Sequence, residues 1–215
     1  MNNARKMTLR VFFYVLGQLI LAFAIALMIN CGLGISPNSS LPFVLSVVLN
    51  AKMGTCITAV SIVQVLLQLV LLRRDFKLQN LLQLAAGVLL GYCTDFAKWA
   101  LGDFCIPTYP GQLFMLMSSI LLIGIGISFC IDASLIPPPI DGLNLAMAKT
   151  FKIPFPDAKN IQDIATVLIS VLLGWLALNE VIGVREGTIL SALLAGRAVK
   201  LMQRWIKPMV DKLCF

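Results

Sequence analysis

Residues 11–31 read VFFYVLGQLILAFAIALMINC, and residues 32–52 read GLGISPNSSLPFVLSVVLNAK. The first stretch is 21 residues long and carries no charge. A bilayer core about 30 Å thick takes a helix of roughly 20 apolar residues, so this stretch is long enough to cross. The second stretch opens on a break rich in Gly and Pro. The helix after the break is about half a bilayer's worth of apolar residues at 1.5 Å per residue. A clean span and then a proline-started half-span predict an all-α membrane helix bundle. Its short helix should re-enter the bilayer without crossing it.

The same order of elements occurs twice. Residues 112–131 are again free of charge, and residues 132–152 (DASLIPPPIDGLNLAMAKTFK) repeat the break, the prolines and the short helix at an offset of 100 to 102 residues. The first half is expected over residues 1–105, with spans at about 11–31, 53–72 and 78–98 and a short helix at 39–51. The second is expected over 106–215, with spans at about 112–131, 162–180 and 187–205 and a short helix at 140–150. Together they should form one structural domain. Three spans per half turn the second half upside down relative to the first. The predicted fold is therefore a polytopic bundle of two inverted repeats, an architecture that places transporter sites near the midplane between repeats. Arg197 and Lys200 interrupt the last span and can snorkel along their alkyl stems toward a headgroup region.

Composition excludes the main alternatives. Hydrophobic residues make up 59% of the 215 and charged residues 13%, about half the charged share that keeps a soluble domain wet. The net charge of +7 comes from short Lys and Arg clusters between long uncharged runs. Nucleic acid is therefore not an expected partner, and the lipid bilayer is. Histidine is absent, and the six cysteines include no CxxC pair, so no metal centre, cofactor or disulfide framework is expected. No nucleophile–base pair is visible, and an enzyme is not predicted. Arg5, Lys6 and Arg10 before an apolar run imitate a signal peptide, but that run is longer than a signal's apolar region and reads as a retained first span.

Basic residues set the orientation. With six spans and the N-terminus cytoplasmic, thirteen Lys and Arg fall inside, from Arg5 to Lys212, and Lys52, Lys98 and Arg185 fall outside. Eight full crossings would move the dense cluster Arg73, Arg74 and Lys77 to the outside. Six spans, with both termini in the cytoplasm, fit better.

Polar residues recur at helical spacing inside the spans. Thr58, Ser61, Gln64 and Gln68 share one face of the second span, and Asp163, Thr166, Ser170 and Gly174 one face of the fifth. Such faces turn from lipid toward other helices or water. For Ser and Thr alone, helix–helix adhesion explains this better than a solute path does. Two glutamines a turn apart are harder to account for that way. At the proline-started helix ends, free N–H groups and the dipole suit an anion. Pro37, Asn38, Ser39 and Ser40 gather at the first such end, and Asp141 and Asn144 at the second. Asn38–Ser40 can equally cap the helix, and Asp141 can equally compensate the dipole or hold a proton or cation. The candidate binding residues are therefore Pro37, Asn38, Ser39, Ser40, Gln64, Gln68, Asp141, Asn144, Asp163 and Thr166.

The strings GLGISPNSSLPFVLS, PPPIDGLNLAMAK and VREGTILSALLAG resemble the YitT/YczE group of bacterial integral membrane proteins. Gly32, Gly34 and Pro37 carry that group's glycine–proline break, Pro139, Asp141, Gly142 and Leu143 its second-half counterpart, and Gly187 with Thr188 the pair opening a later span. The second half departs from the pattern, with Asp132, Ala133 and Ser134 where the first has its glycines. The resemblance implies transport without naming a substrate or a functional residue. The expected protein is thus a multi-pass bacterial inner (plasma) membrane transporter or channel for a small polar or anionic solute, with self-association left open. A membrane scaffold or accessory protein is the alternative.

Overall fold

The computed structural model describes residues 3–214, so the outermost residues of the two expected halves, 1–2 and 215, lie outside it. Among the described residues eight α-helices succeed one another: α1 (Asn3–Cys31), α2 (Pro37–Val48), α3 (Met53–Leu72), α4 (Leu82–Leu101), α5 (Tyr109–Asp132), α6 (Pro139–Phe151), α7 (Phe155–Leu178) and α8 (Glu186–Cys214). Two single 3-10 turns, Arg73–Asp75 and Leu78–Leu81, join α3 to α4. There is no strand among the described residues.

Four stretches are long and apolar enough to cross a membrane: Arg5–Cys31, Met53–Asp75, Tyr109–Asp132 and Phe155–Leu178. Leu66 and Val70 on α3 and Leu168, Leu172 and Leu176 on α7 are exposed. A soluble monomer rarely leaves so continuous an apolar stripe uncovered. The chain is a helical membrane protein. α4 and α8, expected as spans, are helices of lower apolarity; Asp95 and Lys98 lie in the first, and Arg197, Lys200, Arg204 and Lys207 in the second. α7 begins at Phe155 rather than near residue 162. Pro156 suits a first helical turn because its φ is already helical, and Asp157 favours the positive end of the dipole. Charges in that opening turn conceal it from a reading guided by apolar runs.

The short helices occupy 12 and 13 residues, about 18–20 Å at 1.5 Å per residue and less than the bilayer core. α2 stops at Val48, short of the expected 51, because Asn50 turns left-handed with φ 48°. Matching helix ends in the two halves carry such residues. Gly32 (φ 70°) comes after α1 and Ser134 (φ 49°) after α5, and Asn50 comes after α2 and Lys152 (φ 55°) after α6; Asn179 (φ 55°) comes after α7, whereas Arg73 after α3 has a positive φ (47°) with a ψ of −108° that is not left-handed helical. A left-handed residue is the common way to end a helix and satisfy its last carbonyls.

The chain forms two compact units. The first comprises Met1–Ser36, Cys93–Leu135 and Arg185–Phe215, and its spine is α1, α5 and α8. α1 and α5 run antiparallel. The Arg10 guanidinium donates to the carbonyls of Ala133 (2.9 Å) and Ser134 (2.5 Å), Phe13 stacks on Phe129 at 5.7 Å, and Gly17 meets Gly126. α5 and α8 run parallel, since Gly187 packs near Leu116 while Gly124 packs on Ala198. α8 is accordingly antiparallel to α1, and Phe13 shares a buried cluster with Ile206, Val210 and Cys214.

At the other end of α1 the glycine motifs meet. The Gly187 N–H donates to the Leu33 carbonyl (2.8 Å), and the Arg185 guanidinium to the Gly32 carbonyl (3.0 Å). A Cβ on Gly34 would come within 2.8 Å of both the Arg185 nitrogen and Thr188 Oγ1. These motif residues join the end of α1 to the start of α8 by close backbone approach.

The second unit comprises Pro37–Tyr92 and Ile136–Val184. α3 and the first part of α4 form an antiparallel pair in which Gly91 packs on Gly54 and Gly87 on Ser61. α3 and α6 run parallel: Gln68 meets Pro139 near the start of α6, and Asp75 pairs with Lys149 (2.7 Å) near its end. Residues 152–154 turn α6 back into α7, and α2 packs on both α7 and α3.

Candidate functional site

The second unit gathers most of the sequence-predicted residues, in three small clusters. The first lies where α6 begins. Gln68, on α3, is fully buried, and its Nε2 donates to Gln83 Oε1 (2.8 Å) and to the Pro139 carbonyl (2.9 Å). A carbonyl can only accept, so Pro139 fixes which way the Gln68 amide faces. Its Oε1 is then left buried without a partner. Gly142, one turn into α6, makes the room: a Cβ there would run into the Gln83 amide and reach 2.8 Å from Gln68 Oε1. Gln64, one turn back on α3, is buried as the polar spacing predicts.

The second cluster joins α2 to α7. Ser40 Oγ donates to the Pro37 carbonyl (2.8 Å), Ser170 Oγ donates to the Thr166 carbonyl (2.7 Å), and the two hydroxyls lie 3.0 Å apart. Two hydroxyl protons serve three contacts, so one contact lacks a proton at any moment. Thr166 donates to the Gln162 carbonyl (2.8 Å) and accepts from Gln162 Nε2 (3.1 Å). Ser39 is buried, but Asn38 is exposed and does not join the cluster. Residues 38 and 40 lie on different sides of a helix with 3.6 residues per turn, so the polar run at the start of α2 does not share one face.

The third cluster lies along the α6–α7 hairpin. Asp141, half-buried in the first turn of α6, is within electrostatic reach of Lys159 and Asp163. Lys159 Nζ pairs with Asp163 Oδ2 at 2.8 Å, one turn along α7, and Asp163 Oδ1 is buried without a partner. Asn144 is 1% exposed, and its Oδ1 is likewise unpartnered.

Gln83 was not among the residues expected from the sequence. It stands at the start of α4, beyond the charged turn, and its polar neighbours one turn back, Gln79 and Asn80, belong to the connecting 3-10 turn. Its one signal is its place, fifteen residues after Gln68 across a short antiparallel turn. Among the described residues, no three His, Cys, Asp or Glu side chains gather in a group that could hold a metal ion.

No curated protein and no solved structure matches the chain. A family model does match, over residues 8–204, which covers α2 to α7 whole and most of α1 and α8. By that match the chain belongs to the family of unknown function DUF6198.

Proposed function

We propose that the protein is a carrier or channel for a small polar solute bearing hydrogen-bond donors, with its site where α6 begins. The observation that carries this reading is Gln68: a fully buried amide, oriented by Pro139, with its oxygen left open beside Gly142. A buried acceptor without a donor costs roughly 1–3 kcal/mol. A scaffold would bear that cost for nothing, whereas a solute that donates to this oxygen recovers it. The open atoms are acceptors, which favours a donor-bearing solute over an anion.

The architecture we infer is six spans in two inverted repeats, the short helices α2 and α6 re-entering without crossing, in a bacterial inner membrane with both termini cytoplasmic. Helix directions support six. With six spans α1 and α5 oppose each other while α5 and α8 agree; eight crossings reverse both relations. The antiparallel α1–α5 pair and the parallel α5–α8 pair have the six-span sense, and so does the parallel α3–α6 pair. The left-handed ends shared by α1 and α5 and by α2 and α6 support the repeat. Short proline-started helices whose ends meet polar side chains are what broken-helix transporters use to bind solutes. The motif resemblance to the YitT/YczE group points the same way.

Uptake of polar solutes into liposomes holding the purified protein tests the reading. Saturable uptake of a donor-bearing solute, lost in Gln68→Leu and Gly142→Ala, is the expected result. Uptake that both variants retain would remove the amide cluster from any role in transport.

A further inference from the structure

The Gln68 cluster leaves the carboxylates of the α6–α7 hairpin unused. Asp141 and Asn144 lie three residues apart, on one face of α6. Within electrostatic reach of Asp141, Lys159 and Asp163 lie one turn apart on α7. Two carboxylates against one ammonium leave one negative charge. The N-terminal dipole of α6 offsets about half of it, so the cluster stays negative in a setting where uncompensated charge is expensive. Two oxygens there, Asn144 Oδ1 and Asp163 Oδ1, are also buried without partners. The equivalent end in the first half has no charge: Asn38, Ser39 and Ser40 on α2, with Thr58 and Ser61 on α3.

We propose that Asp141, Asn144 and Asp163 form a site for one small monovalent metal cation of the sodium type. The donor set is all oxygen, which hard cations prefer and soft transition metals do not. A single positive charge balances the cluster, and a divalent ion would overshoot it. A proton would balance the charge too, but on one oxygen only, whereas a cation engages the carboxylates and the Asn144 amide together. The site deepens the transport reading above by naming the class of coupling ion, and it rests on that reading only for the word coupling.

The test needs no solute. Thermal unfolding of the purified wild-type protein is monitored as choline chloride is exchanged for sodium chloride at constant ionic strength. The expected result is a saturable rise of several degrees in Tm. It should be lost in Asp163→Asn and in Asn144→Leu and retained in Asp75→Asn, which removes an exposed ion pair outside the site. No sodium-dependent rise, a rise retained in both site variants, or stabilisation that tracks acidity regardless of the cation would overturn the proposal. If the site variants do not fold, equilibrium binding of radioactive sodium to the wild type decides: saturable binding supports the site, and its absence overturns it. A negative result here leaves polar-solute uptake through the Gln68 cluster standing, so the two readings fail separately.

Discussion

Gln68 shows what one side chain contributes. Its Nε2 is the donor that the Pro139 carbonyl and Gln83 Oε1 share. Gln68→Leu strands both acceptors, and we expect a stability loss of roughly 1–3 kcal/mol, read by thermal unfolding in detergent, together with loss of uptake. Gln64→Leu, one turn away, leaves that pair of bonds intact and should cost less than Gln68→Leu on both measures. An equal cost would mean that the glutamines act only as a polar seam. Polar spacing on α3 and α7 marked Gln68, Thr166 and Ser170 because a helix periodicity shows in the sequence itself. Gln83 could not be found that way, since its role depends on which helix folds back on α3. Asn38 and Ser40 show the opposite case: close in sequence, they part company once wound into a helix, one exposed and one buried.

Helix ends carry the repeat more clearly than identities do. The second break has no glycine, yet Ser134 adopts the left-handed turn that Gly32 adopts in the first. A sequence does not announce that a serine or a lysine takes this conformation, which costs a non-glycine residue about 1–2 kcal/mol. Ser134→Gly and Lys152→Gly should therefore each stabilise the protein by up to about 1 kcal/mol, measured by denaturation in detergent. Gly32→Ala isolates the backbone term, because a Cβ there has nothing within 4 Å. It should destabilise by about 1 kcal/mol. Gly34→Ala adds a collision with the Arg185 backbone, 2.8 Å away, to an unfavourable φ of 110°. A loss no larger than that of Gly32→Ala would contradict the close approach of α1's end to α8's start. Long uncharged runs mark the four stretches apolar enough to cross a membrane, and the helix α3 runs from Met53 to Leu72. The start of α7 was missed because apolarity begins later than the helix does.

For the whole molecule the claim is directional: six spans, with α2 and α6 dipping in and returning. Charge bias alone barely separated six crossings from eight, since both counts leave most Lys and Arg inside. Helix pairing supports the proposed six, because each short helix that crosses reverses every helix after it. Residues 73–81 and 102–108 are two of the connections that exchange sides between the six-span and eight-span topologies. Cys105 is exposed in the second of these, whereas Cys214 is buried and makes a poor reporter for the C-terminal side. Gln79 is exposed in the first loop. The measurement is labelling of intact cells with a membrane-impermeant thiol reagent, using one variant that keeps only Cys105 and another that carries Gln79→Cys as its sole cysteine. Six spans predict that Cys105 reacts in intact cells and that the thiol at position 79 reacts only after the cells are opened; the reverse pattern would contradict the re-entrant helices and the inverted repeat built on them.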